Sequence, residues 1–371
     1  MSITPIKVLI VDDSAVIRAL LAEIINRESD MTVVDTAEDP IDARDKIKKH
    51  HPDVLTLDIE MPKMDGISFL KNLMRLRPMP VVMISSLTEK GAQVTLDALS
   101  LGAVDYVQKP VVNVPERLEE ISFEITNKIR AAAISNIKLL EKRSLENDTR
   151  QEKTENDEFF RLKSKAASLS YFCRANELVL IGASTGGTEA ILEVLRDLPE
   201  NSPPIAIVQH IPPTFSSSYA KRLDRLCRVK VKEAETGDIL RQGCAFLAPG
   251  DFHLKLVKKK ETQELMCVLS EDEKVMRHRP SVDMLFHSAA HLSGFNVTAV
   301  LLTGMGRDGA EGLLELKNNR AYTLIQDEAS SIVWGMPQAA FNLDAHEEIL
   351  PLKKIAGRII SLTNKIKTSE K

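Results

Sequence analysis

Short apolar runs alternate with amphipathic stretches along the first third of the chain. Residues 7–11 read as a buried strand and 15–27 as a helix. Further strands fall at 31–36, 54–57, 81–84 and 106–107, with helical patterns at 41–49, 66–75 and 91–101. Strands alternating with helices predict a doubly wound parallel sheet covered on both faces. From residue 131 to 175 the pattern lapses. Residues 134–145 extend a helical pattern, but 146–165 is polar, mixes both charges and has little apolar periodicity. Such a segment buries too little surface to offset its ordering entropy and reads as a linker, partly helical at its start. A second α/β pattern then begins, with strands at 178–181, 205–209, 245–248, 297–302 and 322–326 and helices at 185–196, 215–226, 281–292, 309–318 and 337–341. Residues 254–257 and 265–269, separated by Lys258-Lys259-Lys260-Glu261, read as a hairpin. The expected organisation is one α/β domain over 5–130, a charged linker over 131–175 and a second α/β domain over 176–366.

Composition narrows the class. A chain of 371 residues with 43% hydrophobic and 27% charged residues suits two packed, soluble domains. Its formal net charge of −4 argues against a general nucleic-acid binder. The first residues run straight into a strand pattern without the regions of a signal peptide, and no apolar run is long enough to span a bilayer. Cys173, Cys227, Cys244 and Cys267 are widely spaced and suit a reducing cytoplasm. The expectation is a cytoplasmic protein with no nucleic-acid partner and no membrane insertion.

In a parallel α/β sheet, functional groups gather at the carboxyl ends of the strands. Asp12 and Asp13 end the first strand, Asp58 the third and Ser85 the fourth, and Lys109 follows the fifth. Taken singly, each aspartate could equally cap a helix or sit in a loop. Together they put three carboxylates, a hydroxyl and an ammonium around one crevice, where mutual repulsion calls for a hard divalent cation such as Mg²⁺. With the cation bound, Asp58 could attack a phosphoryl group while Lys109 and Ser85 offset its charge. With Lys109-Pro110 and Met61-Pro62-Lys63-Met64-Asp65-Gly66 added, residues 5–130 resemble a response-regulator receiver domain. The resemblance implies a flavodoxin-like fold, Asp58 as phosphoacceptor and Asp12, Asp13 and the Glu60 carbonyl as further Mg²⁺ ligands. It also implies Ser85 and Lys109 as phosphate contacts, Tyr106 as a switch aromatic and a histidine kinase as phosphodonor.

In the second domain Gly182-Ala183-Ser184-Thr185-Gly186-Gly187 follows a strand and opens a helix. The spacing fits a G-x-S-x-G nucleophile elbow, and equally a glycine-rich turn that cradles a phosphate. Two other strand ends favour catalysis: residues 205–209 run into His210, and 297–302 run into Thr303-Gly304-Met305-Gly306-Arg307-Asp308-Gly309. Ser184, His210 and Asp308 can converge as nucleophile, general base and imidazole-orienting carboxylate, with backbone N–H groups of Thr185 or Met305 as oxyanion donors. Their chain order differs from that of α/β-hydrolases, which points to a separate solution to the same chemistry. His210 beside a turn and Asp308 as a helix cap are the alternatives for either residue alone.

These segments, with Gln209-His210-Ile211-Pro212, Pro249-Gly250-x-x-His253 and Arg279-Pro280-Ser281-Val282-Asp283, resemble the CheB family of chemotaxis methylesterases. The resemblance implies a Rossmann-like three-layer α/β/α hydrolase domain, with His253 and Arg279 on the active-site rim and no cofactor. It implies hydrolysis of glutamate methyl esters on methyl-accepting chemotaxis receptors, deamidation of receptor glutamines, and phosphorylation by the kinase CheA. Arg307 departs from the family's pattern, which carries asparagine there. A response regulator with a non-catalytic or differently targeted output domain is the competing reading. His287 and His291, four apart with Asp283 on the expected same face, mimic a zinc stripe but lack the H-E-x-x-H glutamate, which favours helix packing or substrate-groove lining. Lys258-Lys259-Lys260 reads as a solvated turn and Trp334 as core or rim. An unphosphorylated receiver that covers Ser184 would explain why the two domains share one chain.

Overall fold

The computed structural model describes residues 4–61, 64–86, 88–109, 115–141, 171 and 173–364. Most of the expected linker, 142–170, and Pro62, Lys63 and Pro110 lie outside the described residues. The chain forms two compact units, Met1–Glu152 and Lys153–Lys371.

The first unit alternates β1 (Ile6–Val11), α1 (Ala15–Asn26), β2 (Met31–Ala37), α2 (Pro40–His50), β3 (Val54–Asp58), α3 (Gly66–Leu76), β4 (Val81–Ser85), α4 (Glu89–Ser100), β5 (Asp105–Gln108) and α5 (Pro115–Ala133). Its sheet is wholly parallel, in the flavodoxin-like order β2-β1-β3-β4-β5. The central strands β3 and β4 are buried at every position, as a sheet covered on both faces requires. Ser14, Asp39, Asp65 and Thr88 each accept a backbone N–H from the first turn of the following helix. Each such cap is worth about 1 kcal/mol and fixes where a strand-end loop turns into helix. Order continues past residue 130: α5 runs to Ala133, a further helical turn covers 137–141, and Leu140 is buried.

The second unit runs β6 (Glu177–Ala183), α6 (Gly187–Asp197), β7 (Ile205–Gln209), α7 (Pro213–Leu226), β8 (Lys230–Glu233), β9 (Cys244–Leu247), β10 (His253–Lys258), β11 (Leu265–Ser270), α8 (Val282–Ala290), β12 (Asn296–Leu301), α9 (Ala310–Asn318), β13 (Tyr322–Gln326), α10 (Met336–Asn342), β14 (Glu348–Leu350) and α11 (Leu352–Thr363). Seven parallel strands lie in the order β14-β13-β12-β6-β7-β9-β8, while β10 and β11 form a separate antiparallel hairpin, as expected. The chain starts at β6, builds outward through β7 and β9, then returns to β12 on the other side. That is the Rossmann progression, and its switch point falls between β6 and β12. One core cluster takes Leu178 and Leu180 of β6, Ala206 and Val208 of β7, Leu285 and Phe286 of α8 and Leu313 of α9. The intervening Val179, Ile181, Ile205 and Ile207 are equally buried and point to the opposite face by strand alternation. The sequence reading lacks β8, β14 and α11. The first two are edge strands of 4 and 3 residues, too short to show a period. Helix α11 does carry one, since Leu352, Ile355, Ala356, Ile359 and Thr363 are its buried face.

Candidate functional sites

In the first unit, Val11 pairs with Leu57, so the parallel register sets Asp12 level with Asp58 where β1 and β3 end. One ligand oxygen from each of Asp12, Asp13 and Asp58 lies within 4.8 Å of the others. Lys109 Nζ donates to Asp58 Oδ2 at 2.7 Å and lies 3.2 Å from Asp12 Oδ2. The second contact lacks hydrogen-bond geometry, which leaves Asp12 Oδ2 buried without a donor. Burial, and then the neighbouring Asp12 charge working against Lys109, pushes the Asp58 carboxyl up to about 6. Asp12 is also raised, by burial above all. The Glu60 backbone N–H bonds the Asp58 carboxylate. An excess of buried carboxylate oxygen with one orphaned atom is the donor set a hard cation satisfies. Ser85 is fully buried at the end of β4, its Oγ 2.7 Å from Thr95 Oγ1 of α4. The Tyr106 ring is also buried, beneath Lys128 Nζ at 4.7 Å from its centroid.

In the second unit, Ala183 pairs with Gln209 and Leu301 with Gly182, so residues 184, 210 and 303 emerge side by side at the switch point. Ser184 Oγ lies 3.1 Å from His210 Nδ1, and His210 Nε2 lies 2.7 Å from Asp308 Oδ2. The ring is therefore turned so that Nδ1 faces the hydroxyl and Nε2 the carboxylate, the reverse of the chymotrypsin arrangement. Asp308, 2% exposed, receives three more donors from the start of α8: Val282 N–H at 2.7 Å on Oδ2, and Ser281 Oγ–H at 2.7 Å and Asp283 N–H at 3.1 Å on Oδ1. Burial acts to raise this carboxyl, but the His210 bond and charge, then Ser281 and Val282, overcome it and hold Asp308 far below the ordinary range. Asp283 beside it bonds Gly312 N–H at 2.7 Å; burial, then the Asp308 charge, pushes it up to about 6.

The turn carrying Ser184 differs from a strained elbow. Ser184 is absent from the non-glycine residues with positive φ, and the left-handed position is Gly186, at φ 75°. Glycine adopts that conformation without steric cost, so the serine itself is unstrained. Ser184 N–H donates to Thr303 O at 3.0 Å, and Gln209 Nε2 donates to Ser184 O at 2.9 Å. A Cβ on Gly304 would lie 2.8 Å from Ser184 Cβ and 2.3 Å from Met336 Sδ, so only glycine lets this loop press against the hydroxyl-bearing residue. Gly304 O accepts from Gly335 and Met336 N–H, and Trp334 Nε1 donates to Gln326 O at 2.9 Å, which anchors the segment that clamps the loop. Among the described residues Met305 N–H has no acceptor and follows directly on Gly304. Thr185 is buried, and its carbonyl lies 3.0 Å from Thr303 Oγ1.

One expected position needs correction. His253, expected on the rim, is 0% exposed because its ring sits between Ser281 N–H and Glu273 O. Asp283, His287 and His291 do share a face, and it packs on α9: Asp283 Oδ1 accepts from Gly312 N–H at 2.7 Å, and both histidines pair with Glu315, which is helix packing. The only metal-competent carboxylate, histidine or cysteine cluster among the described residues is the one in the first unit. Arg279 bonds Asp251 Oδ1 and the carbonyls of Glu271 and Asp272, which pins the loop before α8. That loop delivers a residue sequence reasoning missed. The His278 ring stacks on His210 with centroids 3.8 Å apart and planes 11° from parallel. No periodicity or spacing marks it. Arg307 is exposed.

Residues 179–359 match the family model described as CheB methylesterase, and residues 8–121 match the response regulator receiver domain. The chain is similar to the protein-glutamate methylesterase/protein-glutamine glutaminase of Nitrosomonas europaea, with 51% identity over 96% of each chain. It is equally similar to that of Bordetella pertussis, with 51% identity over 96% of this chain and 97% of that one. Among solved structures, the catalytic domain of Thermotoga maritima CheB methylesterase is 37% identical and covers 51% of this chain and 100% of its own, at a TM-score of 0.49.

Proposed function

This chain belongs to the CheB methylesterase family, and from that premise we propose that Ser184, His210 and Asp308 carry its hydrolysis of protein-glutamate methyl esters and its deamidation of protein glutamines. The hydrogen-bonded run from Ser184 Oγ through His210 to Asp308 carries the reading. His210, holding its proton on Nε2 toward Asp308, accepts the serine proton on Nδ1 as Ser184 Oγ attacks the side-chain carbonyl. Asp308 stabilises the imidazolium that forms. His210 then protonates the leaving group, methanol from the ester or ammonia from the amide, and leaves a glutamyl ester on Ser184. Water attacks that ester as His210 takes its proton and passes it to the departing Ser184 Oγ, which frees the glutamate side chain and restores the serine. Met305 N–H, which has no acceptor among the described residues, or Thr185 N–H holds the oxyanion.

The first unit regulates this activity as a receiver. Asp12, Asp13, Asp58 and the Glu60 carbonyl would hold Mg²⁺, which supplies positive charge against the transferring phosphoryl group. Asp58 accepts the phosphoryl group from the chemotaxis kinase CheA, and Ser85 and Lys109 contact it while Tyr106 follows the switch. The substrates are methyl-accepting receptors and the working compartment is the cytoplasm; no described helix is long and apolar enough to cross a membrane. Methanol release from methylated receptor tests the reading. Ser184→Ala is expected to lower it by at least about 10⁴-fold. Full activity in a folded Ser184→Ala protein overturns the assignment.

A further inference from the structure

His253 opens the hairpin strand β10, outside the main sheet, and is wholly enclosed. Both ring nitrogens are committed to backbone: Nδ1 accepts from Ser281 N–H at 3.2 Å, and Nε2 lies 3.1 Å from Glu273 O. A carbonyl can only accept, so the proton is on Nε2 and the ring is neutral. Burial lowers its affinity for a second proton. Ser281 is itself 0% exposed and caps α8, and its hydroxyl donates to Asp308 Oδ1 at 2.7 Å. One chain of contacts thus runs from Glu273 through His253, Ser281, Asp308 and His210 to Ser184.

We propose that His253 is a positioning residue for the hydrolysis: it fixes the backbone of Ser281 and, through the Ser281 hydroxyl, the oxygen of Asp308 that does not face His210. This rests on the assignment of Ser184, His210 and Asp308 above. His253 cannot touch substrate, because it has no exposed surface. Its chemical contribution is a buried acceptor for a backbone N–H that lies just outside the helix and has no intrahelical partner. An apolar residue of similar size would leave that N–H unsatisfied and let the start of α8 shift, and Asp308 takes three of its four donors there.

The test measures kcat and KM for methanol release from methylated receptor with the full-length protein. The variants are H253L, H253N, S281A and the double variant H253L/S281A, with Ser184→Ala alongside. H253L is expected to lose roughly 10- to 100-fold in kcat, with KM within about two-fold. H253N, whose Oδ1 can accept from Ser281 N–H, recovers most of that loss. The double variant loses less than the product of the single losses, because both changes act on the same oxygen of Asp308. If H253L does not fold, H253A, which also removes the acceptor, combined with S281A gives the same cycle. An unchanged kcat in H253L overturns the proposal. So does a loss that asparagine does not rescue and that multiplies independently with S281A. An active Ser184→Ala protein would instead show that the underlying site assignment had failed.

Discussion

Asp58 ends β3 and Asp308 lies in the loop that follows β12, each beside the switch point of a doubly wound sheet, and each is 2% exposed. Burial therefore acts on both alike, yet Asp58 is pushed up to about 6 while Asp308 is held well below the ordinary range. The difference lies in their partners. Asp58 has Lys109 and one backbone N–H, with a second carboxylate beside it. Asp308 has four donors, three of them from one helix start. Saturated with donors, a buried carboxylate is a fixed anion that steadies another group. Left short of donors, it takes up a proton more readily and keeps acceptor capacity that a cation can fill.

The contrast breaks most sharply at Asp308. An asparagine there turns an N–H₂ toward some of its four donors and removes the charge opposite His210. Asp308→Asn is expected to lower kcat for methanol release by roughly 10³- to 10⁴-fold with little change in KM. A loss below ten-fold would mean that the saturated carboxylate is not coupled to the chemistry. Asp58 sharpens the opposite pole. Its folded-state value lies above the ordinary 3.8, so the folded chain gains a proton that the unfolded chain lacks as pH falls from about 6 toward 3.8. Stability from this group therefore rises as pH falls through that window and is lost as pH climbs back through about 6. Asp58→Asn should stabilise the metal-free protein by about 1–2 kcal/mol at pH 8 and hardly at all at pH 4, because Lys109 keeps Asp12. It should also abolish the response to a small phosphodonor. Denaturant unfolding at the two pH values reads the first effect, and equal shifts at both would refute it. The smallest expected effect is at Asp283, raised for the same reason as Asp58 but with Gly312 N–H as a firm partner. Asp283→Asn keeps the acceptor and removes repulsion with Asp308. Its melting temperature should rise at pH 8 by an amount equivalent to about 1 kcal/mol, and the gain should shrink toward pH 4.

Much of both sites is legible in the sequence because each element ends where a parallel strand runs out. Asp12, Asp58, Ser184 and His210 each follow an apolar run, and parallel pairing puts such residues level with one another. The members that escape are held by contacts no period encodes. His278 reaches His210 from a loop, and His253 looks like a rim residue beside Pro249-Gly250 until the hairpin buries it. How the turn at Ser184 is held is also a matter of tertiary context. The glycine spacing is present, but the left-handed residue is Gly186 and the serine is held by Thr303 and Gln209. Strand β8 alternates exposed lysines with a single buried valine, too little to show a period.

The central claim is that Ser184 is made nucleophilic by the His210 ring, and covalent trapping tests it most directly. Incubating the full-length protein with a fluorophosphonate and mapping the adduct by mass spectrometry should place it on Ser184. His210→Gln should slow its formation by at least about 100-fold. An adduct on another residue, or an undiminished rate in His210→Gln, would contradict the account.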